Sequence, residues 1–129
     1  MAESDSSGLD YNETVLDHFR SPRNAGDLPD ANAIGEASNP AMQIRLLLRI
    51  DDGRISAARF QTKGCPASIA TSSVATEWLS GKPLEQARAM TRRDLLDALG
   101  GLPRAKHHCP ALVEKALAAA LAQHDNAAS

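Results

Sequence analysis

Two imidazoles and a thiol stand side by side in Leu102-Pro103-Arg104-Ala105-Lys106-His107-His108-Cys109-Pro110. The only other cysteine, Cys65, occurs in Gly64-Cys65-Pro66, 44 residues earlier. Both cysteines therefore precede a proline. Proline suits the first turn of a helix, where its missing N–H is not needed. It also biases the residue before it towards the extended geometry of an N-cap. The pattern predicts Cys65 and Cys109 as N-cap residues of two helices. A thiolate there meets free N–H groups and the positive end of the helix dipole, and both lower a thiol pKa from about 8.5.

Three roles fit these residues. Thiolates with an imidazole suit zinc or iron–sulfur chemistry, provided the two helix starts converge. On that reading Cys65, His108 and Cys109 are the ligands, and His107 is a second-choice imidazole. The rival is a Cys–His nucleophile. Neighbouring residues rarely achieve the in-line hydrogen bond such a dyad needs, and no third orienting residue is evident. The plainest role is that each cysteine is a small buried hydrophobe.

The rest of the chain must position these groups. At 129 residues it fits one domain, with residues 1–8 as a small, polar, acidic tail and 9–125 as the folded unit. A domain of this size needs no disulfide staples. Only four aromatics occur, Tyr11, Phe19, Phe60 and Trp78, so the core must be mostly aliphatic. A net charge of −2 argues against nonspecific nucleic-acid binding. No apolar run approaches the ~20 residues of a membrane span. With no basic-then-apolar N-terminal segment either, a cytoplasmic location is expected.

Tyr11, Val15 and Phe19, with Leu16 beside them, form one apolar stripe on a short helix ending by Arg20. His18 on it is expected to be solvated or hydrogen-bonded. Residues 21–32 read as turn and loop. A short strand is expected over Ala33–Ser38, interrupted by Asn39-Pro40. Ala41 to Ile50 alternates as a half-buried antiparallel strand, and Asp52-Gly53 is a two-residue hairpin turn. The return strand runs from Arg54 to Lys63. Its register would bury Arg59 and expose Phe60 unless a β-bulge intervenes near Ala57-Ala58.

Cys65 to Leu79 then reads as a helix with Ala70, Val74 and Trp78 on one face, stopped at Gly81. Pro83–Met90 and Thr91–Leu99 are further short helices, the second with a Thr91…Asp94 capping box. The last helix is expected from Pro110 to about Asp125. Strands first and helices afterwards argue for an α+β fold.

Several stretches carry a family resemblance. Tyr11-Asn12-Glu13-Thr14-Val15-Leu16-Asp17-His18-Phe19-Arg20-Ser21-Pro22-Arg23-Asn24-Ala25-Gly26 resembles the N-terminal helix and Pro-Arg-Asn-x-Gly turn of the IscU and NifU N-terminal iron–sulfur cluster scaffolds. Ala58-Arg59-Phe60-Gln61-Thr62-Lys63-Gly64-Cys65 resembles that family's approach to its middle cysteine. Thr76 to Lys82 is similar to the helix end that follows. Leu102 to Cys109 resembles its Leu-Pro-Pro-Val-Lys-x-His-Cys segment.

The resemblance implies an IscU/NifU-like fold, with a three-stranded antiparallel sheet covered by helices. It implies a non-enzymatic scaffold or carrier for a transient 2Fe-2S cluster or iron, with zinc as the alternative metal. Cys65, His108 and Cys109 match three of the family's ligands, and Cys109 matches its persulfide acceptor. A cysteine desulfurase, an Hsp70-type chaperone and apoprotein acceptors are the implied partners. Leu102, Pro103 and Lys106 match part of the chaperone motif, from which Arg104 and Ala105 depart. The family's first cysteine and its aspartate are replaced by Asn39 and Ala41, 26 and 24 residues before Cys65. The alternative is therefore a diverged paralogue that binds zinc or iron, or docks to the assembly machinery, without building clusters. Asn39-Pro40-Ala41 is expected to face Cys109, with Asn39 as a weak further ligand.

Overall fold

β2 (Met42–Asp51) is the middle strand of a three-stranded antiparallel sheet, with β1 (Ala33–Asn39) and β3 (Arg54–Lys63) on either side. The computed structural model describes residues 11–128, so the tail expected over residues 1–8 lies outside the described residues. Met42, Ile44, Leu46, Leu48 and Ile50 alternate into the core as their spacing requires. Leu47 departs from the alternation. It is buried on the opposite face, between Ile34 and Arg59 of the neighbouring strands.

Asp52 and Gly53 both adopt positive φ (51° and 73°), the geometry of a type I′ hairpin. The bulge exists, but one position before Ala57-Ala58. Ile50 pairs with Ile55 and Arg49 with Ala57, which leaves Ser56 as the extra residue. The Ser56 hydroxyl explains the choice: it lies 2.8 Å from Asp51 Oδ2 and 3.2 Å from the Arg49 carbonyl. The shift leaves Arg59 exposed and Phe60 buried. The first hairpin is tighter than its sequence suggested. Asn39 is the last residue of β1, paired with Met42, so only Pro40 and Ala41 form the turn.

Helices cover one face of this sheet. α1 (Glu13–Arg20) is capped by Asn12, whose Oδ1 accepts from the Val15 N–H and whose Nδ2 donates to the Leu99 carbonyl. Its buried residues are Val15 and His18 rather than the expected Tyr11–Val15–Phe19 stripe, and Phe19 is exposed. His18 is turned inward because Ser73 Oγ waits 2.7 Å from its Nδ1. Burial first, then the nearby Arg23 guanidinium, hold the His18 pKa below its ordinary value, against Glu77 and Asp17. The Arg23-Asn24-x-Gly26 turn is locked to the same place. Arg23 N–H donates to Ser73 Oγ, and Phe60 exchanges backbone hydrogen bonds with Asn24 and Gly26.

α2 (Pro66–Leu79) carries no single apolar stripe. Ser68, Thr71, Ser72, Ser73 and Thr76 are buried along with its alanines, so the helix is enclosed on nearly all sides. Most of its hydroxyls make this tolerable by donating to carbonyls three or four residues back, as Thr71 does to Ala67 and Ser72 to Ser68, while Ser73 pairs with His18. After Gly81, α3 is shorter than expected, Leu84–Arg88 with Pro83 as its N-cap. α4 (Arg92–Leu99) has the expected capping box and stops at Gly100 in the left-handed region. A 3₁₀ turn (Arg104–Lys106) then runs into α5, which spans His108–Ala128 instead of beginning at Pro110.

α5 lies over β1 and β2 at a separation that only glycine at position 35 allows. A Cβ there would sit 2.1 Å from the Ala116 carbonyl oxygen and 2.3 Å from the Ala120 nitrogen. Gly35→Ala is expected to destabilise the fold by about 3 kcal/mol, read as a lower urea midpoint. An unchanged midpoint would show that α5 can lift off the sheet without loss.

Candidate functional site

The approach to the first thiol is built by β3 and its neighbour hairpin. Gly64 ends β3 with backbone that brings it close to Met42 and Ser68, where a Cβ would meet Met42 Cβ at 2.9 Å and Ser68 Oγ at 2.7 Å. Cys65 then takes the N-cap of α2 in extended conformation (φ −86°, ψ 171°), with Pro66 at the first helical position. Its thiol is half-buried and free.

The second thiol arrives by a different route. Leu102 anchors the segment by packing against the core. His107 folds back so that Nε2 lies 3.0 Å from the Leu102 carbonyl, and it must be the donor there, since a carbonyl only accepts. This internal bond commits the exposed His107 ring to the loop. Cys109 is not an N-cap: the 3₁₀ turn passes directly into the helix, so Cys109 lies inside the first turn of α5, after His108. It is fully buried. His108 Nε2 stands 3.7 Å from Cys109 Sγ.

The two thiols meet. Cys65 and Cys109 lie near enough for each thiol to feel the other, so the two Cys-Pro helix starts do converge. Their electrostatics are opposite, which corrects the expectation that both would be activated. Burial opposes ionisation of Cys65, but the Ser68 and Ala67 N–H groups and the Lys106 ammonium outweigh it and hold its pKa below the ordinary thiol value. Those N–H groups act as nearby dipoles, since the Cys65 side chain makes no capping hydrogen bond. Burial, followed by the proximity of Cys65, pushes the Cys109 thiol up to about 12. Of the unligated pair, Cys65 is therefore the thiol that ionises first as pH rises.

Lys106 is the site residue that sequence reasoning placed elsewhere. Its ammonium faces both sulfurs and favours ionisation of each. Its spacing from Cys109 was the available signal, because residues three apart share one side of a helical turn. With Lys106 turned to the thiols, the outward residues of the 3₁₀ turn are Arg104 and Ala105.

Asn39 is occupied. Its Oδ1 accepts from the Ala41 and Met42 N–H groups, both at 2.8 Å, which ties the hairpin into a closed turn. The turn borders a surface hollow of about 390 Å³ lined also by Lys63 and Gly64, the residues leading into Cys65. Cys109 and His108 do not line it. Among the described residues, no group of three or more His, Cys, Asp or Glu side chains is gathered as a set that could hold a metal ion. The arrangement is a dithiol with one imidazole beside its buried member. No helix among the described residues is long and apolar enough to cross a membrane.

Sheet order and helix placement define a small α+β domain in which two Cys-Pro segments come near each other. The chain belongs to the NifU-like N-terminal domain family, whose sequence profile matches residues 10–128. It is 43% identical over 116 residues to the iron–sulfur cluster assembly scaffold protein IscU 1 of Archaeoglobus fulgidus, covering 88% of this chain and 76% of that protein. It is 42% identical over 120 residues to the iron–sulfur cluster assembly scaffold protein IscU of Escherichia coli strain K12, covering 88% and 93%. The crystal structure of a nitrogen-fixing NifU-like protein (N-terminal) from Brucella abortus has the same fold. Its TM-score is 0.75 at 18% identity, over 89% of this chain and 94% of that one.

The unequal thiols give a direct test in the metal-free, reduced protein. Iodoacetamide is expected to modify Cys65 and spare Cys109. Lys106→Met removes the cation that favours the Cys65 thiolate, so its alkylation profile should move to higher pH and slow at neutral pH. A profile identical to the unmodified protein would detach Lys106 from the site.

Proposed function

We propose that this chain is an iron–sulfur cluster assembly scaffold or carrier, and that its cargo is a 2Fe-2S cluster or iron held by Cys65, His108 and Cys109. The observation that carries the reading is the convergence of two cysteines 44 residues apart, with an imidazole beside one of them. Its IscU relatives, named as assembly scaffolds, support the same reading.

The donor chemistry suits soft or borderline metals, because two thiolates and an imidazole are the ligands such ions select. Lys106 supplies compensating positive charge while the sulfurs are unligated. Cys109 loses its proton as it binds, so cargo uptake releases protons and weakens with acidity. Asn39 contributes no donor, since its oxygen is spent on the hairpin. Brought onto one ion, these three ligands would leave one position for water, an external thiol or a group from a partner. A cysteine desulfurase is the natural sulfur source, and apoproteins are the recipients. Leu102, Pro103 and Lys106 keep part of a chaperone-recognition motif. The protein carries and transfers; it is not assigned an enzymatic turnover.

The Asn39 hairpin favours one second reading. A chain with a closed turn in place of a third thiolate fits a paralogue that holds zinc or iron, or docks to the assembly machinery, without building clusters.

Anaerobic reconstitution with iron, sulfide and a cysteine desulfurase separates the two. Stoichiometric iron and acid-labile sulfide, lost on Cys65→Ala, are expected for the scaffold. Tight zinc with no cluster absorption would favour the paralogue. Asn39→Cys should lengthen cluster lifetime by restoring a thiol at the open corner, while costing about 1–2 kcal/mol for the lost turn hydrogen bonds. No gain in lifetime would remove residue 39 from the site.

A further inference from the structure

We propose that residues 100–107 form a strap, hinged at Gly100-Gly101 and held shut by two side-chain clasps, Asn12 and His107, whose opening presents Leu102-Pro103-Arg104-Ala105-Lys106 to a partner as an extended peptide. The inference deepens the reading above, in that it supplies the regulation of the segment that keeps part of a chaperone-recognition motif. It rests on how that segment is tied down.

The hinge is two consecutive glycines in the left-handed region, Gly100 at φ 75° and Gly101 at φ 103°. Their N–H groups close the end of α4 on the Asp97 and Leu96 carbonyls, so the chain is fixed up to Gly101. Among the described residues, the backbone hydrogen bonds beyond it stay inside the strap: the Lys106 N–H donates to the Pro103 carbonyl and the His107 N–H to that of Arg104. A hollow of about 540 Å³ lies between Leu102 and His107 on one side and Arg93, Leu96 and Asp97 of α4 on the other. Leu102 is only half-buried, so opening exposes less than a whole leucine to water. Ties this few place the strap at the low-stability end of the fold.

The clasps are two side-chain donors. His107 Nε2 donates to the Leu102 carbonyl at 3.0 Å and draws the two ends of the strap together. Asn12 Nδ2 donates to the Leu99 carbonyl at 2.9 Å and to the Gly101 carbonyl at 3.3 Å, across the hinge. Its Oδ1 caps α1 through the Val15 N–H. One side chain thus holds the first helix with its oxygen and the strap with its nitrogen. Pro103 is already extended (φ −53°, ψ 143°), and its ring keeps it so. The opened strap offers one apolar anchor, a stiff backbone and the cations of Arg104 and Lys106. Its partner is a peptide groove with an apolar pocket and an acidic rim.

The test uses the full chain, metal-free and reduced, with dilute trypsin under native conditions. Cleavage after Arg104 and Lys106 is followed by mass spectrometry, because it tracks the open population. His107→Ala and Asn12→Asp should each speed it by about 3- to 10-fold, the effect of one lost hydrogen bond. His107→Gln, which keeps an amide donor at similar reach, should not. In Asn12→Asp the Val15 amide should stay protected from hydrogen exchange, since Asp caps a helix as well as Asn does while offering the hinge carbonyls no donor. Urea midpoints should stay level across the set. A purified Hsp70-type chaperone in its ADP state should bind His107→Ala and Asn12→Asp more tightly than the unmodified chain, by the same factor. Cleavage unchanged in His107→Ala, or raised only in step with a lower urea midpoint, would overturn the proposal. So would chaperone binding that is absent or equal across the variants. Iron is absent from these assays, so their failure leaves the scaffold reading standing. A failed cluster reconstitution with the strap behaviour intact would remove the scaffold reading alone.

Discussion

A methyl group at position 35 would lie 2.1 Å from the Ala116 carbonyl oxygen, a distance at which no side chain fits. The backbone of α5 therefore rests directly on β1, and α5 owes its height above the sheet to a missing side chain. That height sets where the first turn of α5 lies, and with it Cys109. α2 is brought in by the same means. Ser68, Ala70, Thr71 and Ala75 are small enough for the helix to be enclosed by α1, β3 and α5, and their hydroxyls satisfy themselves on the helix's own carbonyls. Bulkier helices would stand farther apart, and the two Cys-Pro starts would not meet. The chemistry at the site is thus a consequence of packing by small residues some distance from it.

Once the two starts meet, their inequality follows from how each helix begins. Cys65 is an N-cap, outside the helix, where it keeps partial access to water and lies under the N–H groups of Ala67 and Ser68. Cys109 is one residue inside, because the 3₁₀ turn at Arg104–Lys106 hands the chain to the helix early, and burial there disfavours charge. A shift of about one residue in where a helix begins separates a thiol whose ionisation is favoured from one whose ionisation is opposed. Lys106 reinforces the difference, since the same turn that carries Cys109 inward presents the ammonium to Cys65.

The strands and the helices were legible because each has a clear period or a clear stop. Met42 to Ile50 alternates, Asp52-Gly53 admits one hairpin, and Thr91 with Asp94 marks one helix start. The bulge was legible as a need, from the conflict between Arg59 and Phe60, but not as a position. Its place was decided by which side chain could reach Asp51, and Ser56 is the one that does. The start of α5 was misplaced for a related reason. Pro110 is allowed anywhere in a first turn, so it could not say whether His108 was inside. α2 misled in a different way: a helix buried all round has no stripe to read. The pairing of Cys65 with Cys109 came from the repeated Cys-Pro context and the family resemblance. No local pattern could show that one thiol would be open and the other enclosed.

The altered corner changes more than a ligand count. A cysteine at position 39 would offer one poor acceptor to the hairpin and leave the Ala41 and Met42 N–H groups without strong partners. Asn39 satisfies both, and Pro40 fixes the turn between them. The substitution therefore exchanges a donor for rigidity. Met42, held by the same oxygen, is also the residue that Gly64 must approach closely. The stiffened hairpin thus bears on the backbone just ahead of Cys65 and steadies the open thiol from the side where a third sulfur would have stood. The two thiols that remain are thus held from different sides, the accessible one by β2 and the buried one by α5.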